Sequence, residues 1–324
     1  VTTPLPVGPL TPYVTPELLV QAPTGIAWAS IPAGGIRSGV TDASRTAALA
    51  NICATATGLV DLACKQPLRA TIDPLLLYGP GVRVGVDQQG RRPTSLILKR
   101  WPVLEVISVQ VSPNCLPWNW VTVPPSDYAV AYPPAGLYDS SAPPGAGEGS
   151  QQILLAPRWV NWSLGHDGYA IQVQHVNGWP HCGLTAAAAP VTGDTPQTIQ
   201  VDDCTGWAAV SPLSGFTGAT GTVYDAGNQE VVQCTAASAA SGPGTLTLAS
   251  PLQFDHAAGV MVSTLPETVV WAAILFCCSQ ALTRGATSTT VLQAPGGKSE
   301  GGSVRAQTLA KQAKDILAPF ARII

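Results

Sequence analysis

The spacing of apolar and polar residues divides the chain into a helical start, a long strand-rich middle and a helical end. Thr15-Pro16-Glu17 opens a short helix, with Thr as the cap and Pro at the first helical position. A long helix starts at Thr41-Asp42 and runs to about Lys65. Along it Ala48, Leu49, Ile52, Cys53, Ala56, Leu59, Val60 and Ala63 recur at helical spacing. Gln66-Pro67 ends it, because a residue before proline avoids the helical region. From Leu68 the period changes to two, and strands are predicted at 68–77, 94–99 and 103–112. In the last of these Val106, Ser108, Gln110 and Ser112 fall on one face and Ile107, Val109 and Val111 on the other. Shorter strands follow at 120–123, 128–131, 153–156 and 169–176.

A run of alanines at 185–189 marks a change of composition. Beyond it, to about Ser263, the chain is rich in Thr, Val, Gly and Asp without a helix signal. Short strands at 198–201, 221–224, 230–234, 245–248 and 259–262, with turn clusters at 225–228 and 241–244, give the pattern of a small sandwich or barrel. Helix returns at Thr264-Leu265-Pro266-Glu267, where Thr264 as cap and Glu267 three residues later make a capping box. It stops at Arg284-Gly285. A flexible linker leads to a last amphipathic helix from about Ser303. Its apolar stripe is Leu309, Ala313, Ile316, Leu317 and Phe320, with Val304 near its start and Lys311 and Lys314 opposite.

The expected fold is therefore α+β: a small helical bundle packed with an antiparallel β-sheet, plus an inserted all-β module, sandwich- or barrel-like. Residues 1–40 form an extended N-terminal arm and short helix, and 41–184 with 264–285 form the core. The inserted module is 185–263, and 286–324 is the linker with the C-terminal helix. The loops at 23–40 and 133–150 are long, and loops of such length are usually functional or disordered.

Composition narrows the function. Charged residues are 11% of the 324, against roughly 25% in an average soluble protein. The 32 Gly and 30 Pro follow no fixed period, which excludes collagen, and 46% hydrophobic residues exclude a disordered chain. A net charge of −3 argues against a protein that works by neutralising nucleic-acid phosphates. So few charges fit an exterior buried between subunits, since interface cores are depleted of charge; an Ala-rich composition inherited from a high-GC genome explains them equally. The apolar run at 269–282 holds Ser279 and Gln280 and falls short of the ~20 residues of a membrane span, so it reads as a core helix. The first residues lack the basic start and apolar core of a signal peptide, and the 8 cysteines are expected to be reduced and buried.

The candidate chemistry is thin. His166-Asp167 sits in a Gly-flanked turn, Asp202-Asp203 lacks an oxygen-ligand loop, and Gly215–Gly221 resembles a phosphate loop only in its glycines. His181-Cys182 is the nearest approach to a metal-ligand pair, and no zinc spacing accompanies it. Trp118, Trp120, Trp159, Trp162 and Trp179 suggest carbohydrate binding, with core packing the plainer reading. No enzyme, cofactor or metal is expected.

Five pieces occur in a suggestive order. They are ACKQPLRAT after the long helix, LILKRWPVLEVISVQVS, YAIQVQHVNGWP, PETVVWAAILFCCSQALTRG, and the closing KSEGGSVRAQTLAKQAKDILAPFARII. The order resembles the head–tail adaptor (head-completion, connector) proteins of long-tailed bacteriophages, over about 41–181 and 265–324. The matching positions are Gln66-Pro67-Leu68, Arg100 through Val109, Asn177-Gly178-Trp179-Pro180, Pro266 through Gly285, and a tail ending in a Leu-Ala-Pro-Phe step. The intervening β module is a departure from the family. The resemblance implies a structural virion protein, assembled in the host cytoplasm, that forms a homo-oligomeric, dodecameric ring at the phage neck. Such a ring joins the portal protein of the DNA-filled head to a tail terminator or other tail proteins, and gives DNA a channel without sequence-specific binding. It also implies that the last helix docks on the portal through Val304, Leu309, Ala313, Ile316, Leu317 and Phe320. The alternatives are another neck or tail ring and a monomeric carbohydrate-binding surface protein.

Overall fold

The computed structural model describes residues 11–31, 42–78, 82–84, 94–98, 100, 102–112, 118–131, 152–156, 159, 170–185, 189, 191–193, 196–208, 218–225, 227–286 and 302–321. The fold is mixed α+β, as the patterning predicts. Its helices are α1 (Pro16–Gln21), α2 (Asp42–Cys64), α3 (Glu267–Thr283) and α4 (Gly302–Leu317). The Thr15 side chain accepts from the Leu18 backbone N–H at 3.3 Å and caps α1, the role expected of it. α2 buries Leu49, Ile52, Cys53, Ala56, Val60 and Cys64, and its main helical partner is α3. α3 is buried along almost its whole length, which is why its sequence is apolar on every side. It ends as predicted, with Arg284 at the cap and Gly285 at φ +92°.

The start of α3 differs from the capping box. The Thr264 hydroxyl and backbone N–H both donate to the Pro180 carbonyl, at 3.2 and 2.9 Å, and the helix begins after Pro266 with no side-chain cap. A long-range tie to the preceding strand region has taken the hydroxyl from its local role.

Eight strands build two antiparallel sheets: β1 (Thr71–Tyr78), β2 (Val82–Val84), β3 (Thr94–Ile97), β4 (Val103–Ser112), β5 (Val121–Thr122), β6 (Tyr128–Ala131), β7 (Gln152–Leu155) and β8 (Ala170–Asn177). Their orders are β1-β8-β4-β5 and β2-β3-β7-β6. Leu75, Leu77, Val109, Val111, Ile171 and Val173 from the first sheet share one core with Leu96, Ile153 and Leu155 from the second. Pro74 lies in β1, an edge strand, where a missing N–H is tolerated. Two bulges in β4, at Val103/Glu105 and Val106/Ser108, break the strict alternation read from sequence. As a result Val106 packs on the core and Ile107 is 43% exposed, so Ile107 does not share the inner face with Val109 and Val111.

The remaining strands are β9 (His181–Gly183), β10 (Thr198–Val201), β11 (Thr220–Tyr224), β12 (Glu230–Ala237), β13 (Gly244–Leu248) and β14 (Met261–Ser263). Their order is β10-β13-β12-β11-β14-β9, and a bridge from Leu184 to Val201 closes the ends on each other. The closure is carried by Thr185 N–H to Gln200 O at 3.1 Å and Asp202 N–H to Gly183 O at 2.9 Å. The module is thus a small barrel, and its first strand starts at His181. Cys182, Ile199, Trp207, Val223, Leu246 and Val262 fill it. Trp207 is fully enclosed, and Gly221 makes its room, because a Cβ there would stand 2.7 Å from the indole. The arm at 1–10, the loop at 133–150, the linker at 287–301, Cys115, Trp162 and His166-Asp167 lie outside the described residues.

Candidate functional site

The segments after α2, after β8 and at the chain's end converge on one junction. Gly178 leaves β8 at φ +89° and donates its N–H to Pro102 O at 2.8 Å. Trp179 then pairs with the stretch after α2, its N–H donating to Leu68 O at 2.8 Å and its carbonyl accepting from Ala70 N–H at 2.7 Å. The Trp179 ring meets Phe320 edge-on at 5.9 Å, and Gln66 Nε2 donates to Phe320 O at 3.4 Å. Beside it, Asn177 Nδ2 donates to Asp73 Oδ2 at 2.7 Å, and Arg100 holds Asp73 at 2.9 Å and Thr71 Oγ1 at 3.1 Å. Comparison with known protein families, characterised proteins and solved structures finds no match. His175 pairs in register with Asp73 and is buried; desolvation lowers its pKa. The junction joins the β1-β8-β4-β5 sheet to the helical layer, and Asn177, Asp73, Arg100 and Thr71 satisfy one another there.

A strap at residues 11–14 ties α2 to the barrel. The Tyr13 hydroxyl donates to Asp61 Oδ1 at 2.7 Å and accepts from the N–H groups of Leu68 and Arg69, at 3.0 and 3.1 Å. Burial raises the pKa of both Tyr13 and Asp61. The Thr11 hydroxyl donates to Asp202, which also accepts the Gly183 N–H at 2.7 Å. His181 faces the carbonyls of Thr11 and Pro12 with Nε2, at 3.2 and 3.1 Å, and Ser263 Oγ with Nδ1 at 2.9 Å. Carbonyls only accept, so Nε2 carries the proton and Nδ1 accepts from the serine hydroxyl. A serine beside a basic nitrogen resembles an activated nucleophile, but Ser263 is 1% exposed and out of a substrate's reach. His181 and Cys182 are both buried in the core.

Burial pushes the His181 pKa down to about 4. An unfolded histidine takes up its proton near pH ~6.5. Stability from the neutral ring is therefore complete above about pH 6.5 and is lost as pH falls toward 4, by roughly 3 kcal/mol in all. Denaturant midpoints measured across that window check this. In His181→Gln this part of the slope should disappear.

The acidic candidates are also accounted for. Asp203 accepts from Thr205 N–H and Oγ1 and from Gly242 N–H, at 2.9, 2.6 and 3.1 Å, so it organises turns. His256, which sequence reasoning passed over, is fully buried with Nδ1 3.0 Å from Asp225 and Nε2 2.7 Å from Glu230. The carboxylates flank the ring on opposite sides, which leaves no shared point for a cation. Among the described residues no group of three or more His, Cys, Asp or Glu is arranged to hold a metal ion. The described cysteines are free and buried. Burial pushes the thiol of Cys64 up to about 12 and that of Cys234 to about 11.

The C-terminal stripe lies on its own subunit. Ala313, Leu317 and Phe320 are buried in the helical core, and Leu309 and Ile316 pack against it half-buried. Val304 alone of the six stays open, at 50% exposure. In the chain by itself α3 covers this stripe, so Ala313, Leu317 and Phe320 present no free face there.

Among the described residues two further surfaces stand out. Along α2, Ala43, Ala47, Ala50, Ala54, Gly58 and Leu62 form an exposed row with no charged residue between Arg45 and Asp61. α2 is long and apolar enough to cross a membrane, yet its opposite side is built into the bundle. The signal was present in sequence as that charge-free stretch. Periodicity picks out only the buried face, so the bare one was missed. The second surface carries Trp118 and Trp120, ring centroids 5.4 Å apart, while Trp159 donates to Asp127 and Trp179 is buried.

Proposed function

We propose that the chain is a structural subunit of a homo-oligomeric ring at the neck of a long-tailed bacteriophage, joining the portal of the filled head to the tail. The observation that carries this reading is the uncovered row on α2. Leu62 is 73% exposed, and a methyl group added to Gly58 would meet nothing within 4 Å. A charge-free helical face of small residues suits close approach of another subunit, where charges are depleted. The low charge of the whole chain and the order of the five sequence pieces point the same way. In this reading the ring forms through α2, and the portal is met by surfaces other than the buried stripe of α4. DNA passes through a channel that lacks a reason to hold it, given a net charge of −3.

The test is mass in solution and negative-stain images, for the chain alone and with portal particles. Species of several subunits with rotational symmetry are expected. Ala54→Glu with Leu62→Glu should leave a folded monomer, because both positions are exposed, and should abolish the ring. A strict monomer indifferent to portal particles would overturn the proposal.

A further inference from the structure

We propose that the outward face of the β1-β8-β4-β5 sheet binds a neutral carbohydrate on the Trp118–Trp120 pair and an adjoining grid of amides and hydroxyls. The face follows from register. Thr122, Gln110 and Gln172 stand opposite one another across β5, β4 and β8, and Ser108 stands opposite Gln174 in the next row. Their strand neighbours Val109, Val111, Ile171 and Val173 point into the core, so this set points away from it. Gln174 and Thr122 are exposed, and Gln110, Gln172 and Ser108 are half-buried. Apart from a long contact of Gln110 Nε2 with Thr122 Oγ1 at 3.4 Å, these side chains have no hydrogen-bond partner among the described residues.

The tryptophans stand at the end of this face, since Ser112, two residues beyond Gln110 on β4, accepts from the backbone between them. The Trp120 ring meets that of Trp118 at a tilt of 58°, and Trp118 is 43% exposed. Asn119 N–H donates to Ser112 Oγ at 3.0 Å, which fixes the backbone between the two rings.

The chemistry selects the ligand. A sugar ring offers apolar C–H faces that stack on indole, and hydroxyls that both donate and accept. Glutamine amides and Ser or Thr hydroxyls answer both roles. No cation stands in the set, and a nucleic-acid strand needs a basic groove beside its stacking aromatics. An apolar protein partner would bury these amides unpaired, at a cost. Glu105, exposed at the far end of β4, limits the face and disfavours anionic glycans.

The experiment titrates the full chain with neutral oligosaccharides (gluco-, manno- and N-acetylglucosamine series), following tryptophan emission and heat. Oligodeoxythymidylate and heparin serve as anionic probes. At least one neutral series should bind and shift the emission. Trp118→Ala and Trp120→Ala should each weaken binding about tenfold or more. Trp271→Ala removes an exposed indole on α3 and should leave binding unchanged. Circular dichroism establishes that each variant folds, and Gln110→Ala with Gln172→Ala gives an independent reading of the amide grid. Failure of every neutral series to bind, binding that survives both tryptophan variants, or preference for an anionic probe would each overturn the proposal. It does not rest on ring assembly: the chain's mass is read separately, so either idea fails alone.

Discussion

Replacing Gly178 with alanine is expected to destabilise the protein by about 3–4 kcal/mol, read as a shift of the denaturant midpoint with little change of slope. Two causes add. The backbone sits at φ +89°, where a side chain is strained. A Cβ there would also lie 2.5 Å from Arg69 O and 2.7 Å from Leu68 O, both backbone atoms that cannot swing aside. Relief would require the strand exit to separate from the stretch after α2. That movement breaks the Trp179–Leu68 and Ala70–Trp179 hydrogen bonds and loosens Phe320 from Trp179. Gly227, also at positive φ but with open space around it, gives the contrast: alanine there should cost about 1–2 kcal/mol, the conformational part alone. Equal losses at the two positions would show that steric closure of the junction contributes nothing.

His256→Ala should be comparably severe, at about 3–5 kcal/mol, because it leaves carboxylates without their partner inside the barrel. Glu230 is 6% exposed at its side chain and would keep only the Gln253 and Phe254 N–H groups. Asp225, at 18%, can turn partly to water. The order of effects is thus set by burial: Glu230→Gln, added to His256→Ala, should recover more stability than Asp225→Asn does. Emission of the enclosed Trp207 during denaturation follows the barrel, and a midpoint within error of the parent chain would contradict the assignment.

Local signals were legible in proportion to how locally they were decided. Thr15, with its cap bond three residues ahead, and Gly285, at the end of α3, behave as sequence rules say. So does the register of β4 until its bulges, which depend on how β8 fits and therefore shift Ile107 outward. Thr264 carried a correct local motif and was claimed by Pro180, remote in sequence. The stripe of α4 was read correctly as apolar. Periodicity tells that a face is buried and never by what, and within this chain α3 takes it. His181, Ser263 and the strap at Thr11 and Pro12 are separated by too many residues for any spacing rule to join them. Of the candidate surfaces, the tryptophans were visible as residue types. Their alignment with Gln110 and Gln172 needed the sheet.

Closure of the barrel has a consequence for how the chain tolerates change. Its first and last strands are neighbours, with His181 directly opposite Ser263. The path of the remaining chain therefore passes from β8 to α3 across the width of one strand pair, whatever the length between. Loop-closure entropy grows only with the logarithm of that length. A replacement with adjacent termini meets that geometric demand, but it must also supply what Tyr224 and Met261 give the helical core and what Asp202 and His181 give the strap.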